Sequence, residues 1–494
     1  MNSSFTSLDW VIFIAYFTIL GVSSYLFSRA KISSSREYFT ASNTMPILAV
    51  AISILATSQS AATFLGVPEF SYSNNFTLIG FYFSSLLGVI FVAKFLVPKF
   101  YEMKAITVYE LLEKRYGASA KKQAGVMFLV GRVMASGARL YIAALAISMI
   151  LFLDIGFSHM LISICILVLG ALAYTYFGGV KSVILSDIIQ AITYVSAGLV
   201  VVFYLYISLD GIDILNVLNA NDKLVFIDTS LDGKFSIIGL LSGWLLLNIA
   251  AFGLDQDMTQ RVLTCKSKDE ASRSLIVSIL LTIPIVLLFL IIGALLFVHY
   301  ESAEIAQSFG DEKITIFMYY ILNEMPEGVR GFVTVGAIAA ALSSTNSVLG
   351  AMASVAIEDL YRPLKLKRDA KTDETHFIKA SRNAVLFFAV VLFAMAILSY
   401  FWQRYAELSL IGFALGVMAF AYTGLLGVFF SAIFTSRGSV KTVPYALIGG
   451  FVTVLALQPY TFGISIGFAW QITLGTLVAF MIMQTGKVKS VVFD

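Results

Sequence analysis

Long runs of apolar residues, separated by short polar segments, recur along the whole 494-residue chain. A helix that crosses a membrane needs about 20 mostly apolar residues, and these runs reach that length without the strict alternation of a half-buried strand. Most prolines fall at the edges of the runs, and Pro284 lies inside one. The pattern predicts thirteen membrane-spanning helices, near 8–28, 46–67, 76–98, 121–153, 157–177, 183–209, 235–262, 272–299, 327–357, 378–403, 407–434, 441–459 and 463–485.

The composition supports a membrane protein. Hydrophobic residues make up 59% of the chain and charged residues 13%, whereas soluble domains carry about 45–50% and about 25%. These values exclude a soluble enzyme, a nucleic-acid-binding protein and a disordered scaffold. Cys165 and Cys265 lie in separate segments, so they form neither a disulfide framework nor a metal cluster by themselves. The chain is therefore predicted to be an all-α, multi-pass membrane protein.

The basic residues predict its orientation. If the loop with Arg29, Lys31 and Arg36 is cytoplasmic, most of the 33 lysines and arginines fall on the cytoplasmic side. Cytoplasmic loops of membrane proteins carry such an excess of positive charge. We therefore expect a protein of the plasma or inner membrane with its N-terminus outside and its C-terminus in the cytoplasm.

Hydrogen-bonding side chains interrupt the second predicted span at its middle, over residues 57–63. Small and hydroxylated residues disfavour a regular helix there, and a helix broken inside the membrane frees carbonyl groups that bind cations. Packing against a neighbouring helix through small residues is the alternative. Gln59 favours the broken helix, because packing does not need its bulky amide.

Two further spans carry polar groups suited to a cation. Ser343, Asn346 and Ser347 share one face of the ninth span, and their oxygens suit a weakly held monovalent cation. Asp187 is a carboxylate near the cytoplasmic end of the sixth span, where an acid is costly unless it is paired or hydrated. We expect the cation on the serine and asparagine face to be its partner. A polar packing seam and a solvated interfacial aspartate are the alternatives.

Arg132 and Arg139 lie seven residues apart on one face of the fourth span. One of them can bind a substrate carboxylate through two parallel hydrogen bonds, while the other neutralises an acid. The spacing leaves both assignments open. Polar residues at 255–261, at the inner end of the seventh span, predict either a hydrogen-bonded cytoplasmic gate or simple capping of the helix end.

Several motifs occur together in a specific order along the chain. They are Glu37-Tyr38-Phe39, the segment Ile106 to Gly117, Gly178-Gly179 followed by Asp187, Asp255-Gln256 with Gln260-Arg261, and the run from Ala340 to Ser344. In these residues the chain resembles the sodium/solute symporter family, whose members carry sugars, proline, sialate, iodide and vitamins with sodium. The resemblance extends from about residue 8 to residue 435.

The resemblance implies a fold with an inverted repeat of five plus five helices. The transporter core would span 46–435, with the repeats at 46–209 and 235–434. Residues 1–45 would add one helix and a cytoplasmic loop, and residues 436–494 two helices and a short tail. The polar interruption of the first helix in each half fits this arrangement.

The resemblance also implies the sites. The principal sodium site would consist of carbonyls and hydroxyls of Ala56, Gln59, Ala340, Ser343 and Ser344. A second sodium site, present in some members, would consist of Asp187, Ser343, Asn346 and Ser347, with Asn346 in place of the usual hydroxyl residue.

The solute would contact the middle of the second span and neighbouring helices. The candidates are Ser58, Ser60, Thr63, Phe81, Arg132, Asn248 and Phe252. The two serines, Thr63 and Arg132 resemble the carboxylate-binding pattern of sialate carriers. Phe81, however, stands near the place where those carriers have a glutamine.

We therefore expect a sodium-coupled secondary active symporter that imports a small organic solute by alternating access. A sugar, a sialate or another small carboxylate is the expected solute, and an inorganic anion or a vitamin is the alternative. We expect sodium as the co-transported ion, the lipid bilayer as the surroundings and no nucleic-acid partner, while the oligomeric state stays open. Neither an enzyme nor a channel fits as well, because the chain has no HExxH motif and its small-residue site is asymmetric.

Overall fold

A computed structural model gives the three-dimensional structure of the protein. It describes residues 5–27, 32–230, 233–300, 308–309, 312–313, 315–406, 410–463 and 466–487. This part of the chain is almost entirely helical, which confirms the predicted all-α class. Its two strands, β1 (Ser308–Phe309) and β2 (Glu312–Lys313), form a short antiparallel pair in a loop.

The helices follow one another with short connections. In chain order they are α1 Ser7–Phe27, α2 Ser35–Thr40, α3 Ile47–Ser58, α4 Ala61–Ser73, α5 Ile79–Phe95, α6 Val97–Glu102, α7 Glu110–Tyr116, α8 Ala118–Phe152, α9 Phe157–Ser208, α10 Ile214–Ala220, α11 Ile237–Leu241, α12 Gly243–Gly253, α13 Gln256–Val262, α14 Lys268–His299, α15 Ile316–Asn323, α16 Val329–Ser354, α17 Arg362–Arg368, α18 Glu374–Ala406, α19 Leu410–Phe434, α20 Thr442–Ala456, α21 Pro459–Phe462 and α22 Phe468–Gln484. A π-helical turn, Val355–Tyr361, joins α16 to α17.

Eight of the described helices are long and apolar enough to cross a membrane, and the number rises to ten if each of two bent pairs counts as one span. The bent pairs are Ser35–Asn43 with Ile47–Ser58, at 117°, and Ile237–Gly253 with Gln256–Val262, at 56°. Three shorter apolar helices lie where the remaining spans were predicted. The multi-pass architecture is therefore confirmed, and the count of thirteen spans and the division into two repeats stay predictions.

The helix breaks lie where polar residues interrupt the apolar runs. α3 ends at Ser58, Gln59 and Ser60 are extended, and α4 begins at Ala61. α12 ends at Gly253, and Asp255 caps the start of α13 by accepting a hydrogen bond from the Asp257 N–H. Both breaks place the ends of helices inside the protein, where backbone groups can bind a ligand.

α16 lies at the centre of the molecule, and nearly every residue from Val333 to Ser354 is buried. It packs most extensively against α9, which bends at Gly179 (φ 58°). α1 lies at the periphery with most of its apolar side chains exposed, as expected for a helix that faces lipid. The central position of α16 brings its serines against the break between α3 and α4.

Candidate sodium and solute sites

The break after α3 meets the hydroxyl groups of α16. The Ser343 hydroxyl donates to the Ala56 carbonyl at 2.7 Å and lies 3.1 Å from the Ala340 carbonyl. The Ser344 hydroxyl lies 3.3 Å from the same Ala340 oxygen. Four of the five residues predicted for the principal sodium site therefore converge, and Gln59 directly follows the end of α3. Carbonyl and hydroxyl oxygens without a carboxylate are a donor set that fits a monovalent hard cation.

Asp187 is fully buried on α9, beside α3. Its Oδ2 accepts hydrogen bonds from the Ser53 hydroxyl at 2.5 Å and from Arg261 Nη2 at 3.1 Å, while its Oδ1 has no hydrogen-bond partner in the described part of the chain. The charge partner that the structure shows is thus Arg261, which sequence reasoning had placed only among the residues of the inner gate. Oδ1 is therefore also available to bind a cation.

Asn346 and Ser347 follow Ser343 and Ser344 on α16, toward the side that is predicted to be cytoplasmic. They line a small cavity together with Gln260 and Arg261, so Arg261 connects this face of α16 with Asp187. When the Asn346 amide is oriented so that its nitrogen faces acceptors, that nitrogen donates to Leu342 O at 3.1 Å and Ala171 O at 3.3 Å. The Ser347 hydroxyl donates to Ser344 O at 2.8 Å.

Arg132 binds carboxylates of the protein itself. Its Nη1 lies 2.8 Å from Asp255 Oδ2, and its Nη2 donates to Asp257. Asp257 in turn binds Arg261 at 3.1 Å, and the Tyr422 hydroxyl donates to Asp255. A continuous chain of buried charges therefore leads from Arg132 to Asp187. The sequence predicts that one arginine binds the solute and that the other neutralises an acid. Arg132 is surrounded by acids of the protein, which is the environment expected for the second role.

Arg139 lies two helical turns further along α8 and is only partly buried. Its Nη2 lies 2.9 Å from the thioether sulfur of Met418, on α19. Within the described residues no carboxylate lies within ion-pair distance of Arg139. The second arginine of the pair is therefore the one whose charge is not neutralised by direct contact.

The other predicted polar solute residues lie at the break between α3 and α4 and on α12. The Ser60 N–H donates to the Thr63 hydroxyl at 2.6 Å, which caps the start of α4. Asn248 accepts a hydrogen bond from the Ser85 hydroxyl at 2.7 Å, and its buried amide nitrogen has no partner among the described residues. Ser58, by contrast, donates to the Leu55 carbonyl of its own helix at 2.8 Å.

Two aromatic candidates are packed into the protein. The ring of Phe81 contacts that of Trp244 edge-on, with centroids 5.3 Å apart. Phe252 is buried within α12, one turn after Asn248. Both are positioned by packing on the second broken helix or beside it.

Hydrogen bonds close the side of the protein that is predicted to be cytoplasmic. The Gln260 amide donates to Phe39 O at 2.9 Å, and the Tyr38 hydroxyl donates to Thr175 O at 2.7 Å. The Met45 N–H binds Thr264 O at 3.0 Å. The segment that enters α3 is therefore attached to α9 and α13, below both candidate sodium sites.

These features define a class: a helical membrane carrier whose broken helices present oxygen ligands and charged groups inside the membrane. The family model of the sodium:solute symporter family matches residues 38–455. The chain belongs to the sodium:solute symporter family.

Similar proteins include two sialic acid carriers. The chain is 27% identical to the sodium/sialic acid symporter NanT of Aliivibrio fischeri, over 97% of this chain and 92% of that protein. It is 26% identical to the sodium/sialic acid symporter SiaT of Proteus mirabilis, over 96% and 93%. A solved outward-open structure of a sodium-coupled sialic acid symporter shares the fold, with a TM-score of 0.82, 23% identity and 97% coverage of both chains.

The predicted function class is confirmed by these findings. The protein is a sodium-coupled secondary active symporter of the cell membrane, and sodium and a small-molecule solute are its transported partners.

Proposed function

We propose that this symporter imports sialic acid or a closely related sugar carboxylate together with sodium. The observation that carries the proposal is Arg139, a guanidinium inside the membrane region whose one side-chain hydrogen bond among the described residues goes to the Met418 thioether. A guanidinium binds a carboxylate through two parallel, charge-assisted hydrogen bonds, and a thioether is a weak acceptor. The full-length similarity to two sialic acid symporters supports a carboxylate solute. We assign the solute carboxylate to Arg139 in place of Arg132.

The formal charges of the buried network support the same pairing. The network contains three carboxylates and two guanidiniums, from Asp187, Asp255, Asp257, Arg132 and Arg261. It therefore carries one excess negative charge, which one sodium ion offsets, while the carboxylate of the solute offsets Arg139. Because unbalanced charge in a membrane interior is costly, loading the two together is favoured over loading either alone.

The chemistry of the other predicted solute residues indicates which part of the solute each of them would contact. The start of α4, with Ser60 and Thr63, presents the positive end of a helix to an anionic group. The unpaired amide nitrogen of Asn248 suits a hydroxyl or carbonyl oxygen of the solute. Phe81 and Phe252 would pack against its apolar parts.

Sodium prepares the solute site in this mechanism. By binding Ala56, Gln59, Ala340, Ser343 and Ser344, it joins the broken helix to α16 and fixes the start of α4. The solute then binds an ordered site, and by linkage it raises the affinity for sodium by the same factor. Opening of the contacts around Phe39 and Gln260 would release both to the cytoplasm.

We also propose an extracellular N-terminus, a cytoplasmic C-terminus, and a core of two five-helix repeats at 46–209 and 235–434. The distribution of basic residues supports the orientation. The protein would act by transport alone, without catalysis and without a nucleic-acid partner.

Uptake of N-acetylneuraminic acid by proteoliposomes tests the choice of solute. Arg139→Lys keeps the charge but loses the planar fork, so we expect the KM to rise about tenfold or more. Arg139→Ala should nearly abolish uptake, because the carboxylate loses its charged partner.

Met418→Leu is the matched control, because it removes the thioether contact and leaves the guanidinium in place. Iodide, biotin, lactate and glucose serve as competitors. Normal uptake of N-acetylneuraminic acid in Arg139→Ala, or competition by glucose with none by N-acetylneuraminic acid, would contradict the proposal.

A further inference from the structure

Gln59 lies in the two-residue link between α3 and α4. Its backbone is extended (φ −83°, ψ 148°), as is that of Ser60 (φ −148°, ψ 171°). The side chain is 1% exposed. The Gln59 N–H donates to the Leu55 carbonyl at 3.1 Å and the Ser60 N–H to the Thr63 hydroxyl at 2.6 Å, while none of the described residues donates a hydrogen bond to the Gln59 carbonyl. Contacts of the Gln59 side chain can add to these bonds in fixing the direction in which the carbonyl groups of the link point.

The side-chain amide of Gln59 is bound from another helix and from the end of α3. Its Oε1 accepts a hydrogen bond from the Tyr194 hydroxyl of α9 at 3.3 Å. Its Nε2 lies 3.4 Å from the Ser58 hydroxyl, at the end of α3. The link is therefore attached through one amide to α9 and to the end of α3.

Tyr194 is itself held rigidly. Its ring stacks on Phe289 of α14 with centroids 4.8 Å apart, and it meets Phe64 of α4 edge-on at 5.7 Å. Tyr194 and Phe289 are buried. A tyrosine held between aromatic rings offers its hydroxyl in one direction, which makes it a fixed anchor for the amide.

Packing alone does not explain an amide here. Methionine or leucine would fill a similar volume without the cost of removing an amide from water. The orientation that its hydrogen bonds impose therefore explains the buried amide better than packing does.

We propose that the Gln59 side chain is a positioning residue for the principal sodium site. Held by Tyr194, it keeps the link in the conformation in which the Ala56 and Gln59 carbonyls point toward the hydroxyls of α16. The amide thereby sets the affinity for sodium without contacting sodium or the solute. This role rests on the sodium site described under the proposed function.

The test measures the sodium concentration that gives half-maximal solute uptake. Gln59→Met keeps the volume and removes the hydrogen bonds, so this concentration should rise about tenfold. The loss of uptake should be largest at low sodium and should shrink as the sodium concentration approaches saturation. Tyr194→Phe keeps the ring packing and should produce part of the shift. The double variant should show no larger shift than Gln59→Met alone, because both changes remove the same interaction.

Gln190→Met is the matched control. Gln190 is equally buried on α9, one turn before Tyr194, and neither amide atom has a hydrogen-bond partner in the described residues. Its replacement should leave the sodium dependence unchanged. An equal shift in Gln190→Met, or additive shifts in the Gln59 and Tyr194 variants, would overturn the positioning role.

Two outcomes separate this role from the proposed function. Sodium-dependent uptake in wild type with unchanged sodium dependence in Gln59→Met overturns the positioning role alone. Wild-type uptake that ignores sodium overturns both. If Gln59→Met does not fold, Tyr194→Phe decides: a rise in the half-maximal sodium concentration supports the role, and wild-type behaviour overturns it.

Discussion

The Ser343 hydroxyl links the two elements that would share sodium. It donates to the Ala56 carbonyl of α3 and lies beside the Ala340 carbonyl of its own helix. Ser343→Ala removes one oxygen ligand and changes helix propensity little, so the half-maximal sodium concentration for uptake should rise about tenfold. Titration of uptake with sodium measures the effect.

Ser354 provides the control for this variant. It is fully buried on the same helix, and its hydroxyl donates to Ala351 O at 2.8 Å. Ser354→Ala should keep the wild-type sodium dependence. Equal sodium dependence in both variants and the wild type would show that the assigned principal site is wrong.

Asp187 decides whether a second sodium ion is carried. If its unpaired Oδ1 binds a cation together with Asn346 and Ser347, the Hill coefficient for sodium should exceed one in wild type and fall in Asp187→Asn. An amide can keep hydrogen bonds to Ser53 and lacks the charge that holds a cation. A wild-type coefficient of one with unaltered transport in Asp187→Asn would leave Asp187 as a structural partner of Arg261.

At the level of the helices, the bend in α9 depends on Gly179. Its φ of 58° favours glycine, and an added Cβ would lie 2.5 Å from the Tyr38 carbonyl oxygen. Gly179→Ala should therefore destabilise the protein by about 1–3 kcal/mol, seen as a lower Tm. Gly21→Ala on α1 is the control. Beyond the adjacent residues and the backbone of its own helix, none of the described residues has a heavy atom within 4 Å of an added Cβ there. Equal Tm values for the two variants would contradict this account of the bend.

We expect the ion pairs between α8 and the start of α13 to stabilise the protein. Arg132→Met leaves Asp255 and Asp257 buried without their shared partner, which should lower the free energy of unfolding by about 3–5 kcal/mol. Adding Asp255→Asn removes one unpaired charge and should restore part of the loss, measured as Tm in detergent. A double variant less stable than Arg132→Met would contradict the charge explanation.

The broken helices were predictable from the sequence, whereas the partners of the charged residues were not. Polar residues at 57–63 interrupt an apolar run, and a local conflict of this kind is visible in a linear pattern. Arg132 and Asp255 are 123 residues apart, and only the folded structure brings the middle of α8 beside the start of α13. The seven-residue spacing of Arg132 and Arg139 placed both on one face without showing which one meets the protein's own acids.

At the scale of the whole molecule, the sodium ligands, the charge network and the contacts of the inner side form one connected system. α3 touches α16 through Ala56, α9 through Ser53 and α13 through the same serine, which accepts a hydrogen bond from Arg261 at 2.7 Å. α3 therefore connects the predicted sodium ligands with α9 and α13, the helices bound to the segment that enters α3. This connection is the physical basis that the structure offers for coupling.

The most direct test of the account is accumulation of N-acetylneuraminic acid inside proteoliposomes driven by a sodium gradient alone. With sodium outside and potassium inside, we expect the internal concentration to exceed the external concentration and to return to equality when the gradient is dissipated. Equal internal and external concentrations at all times, with or without the sodium gradient, would contradict sodium-coupled transport of this solute.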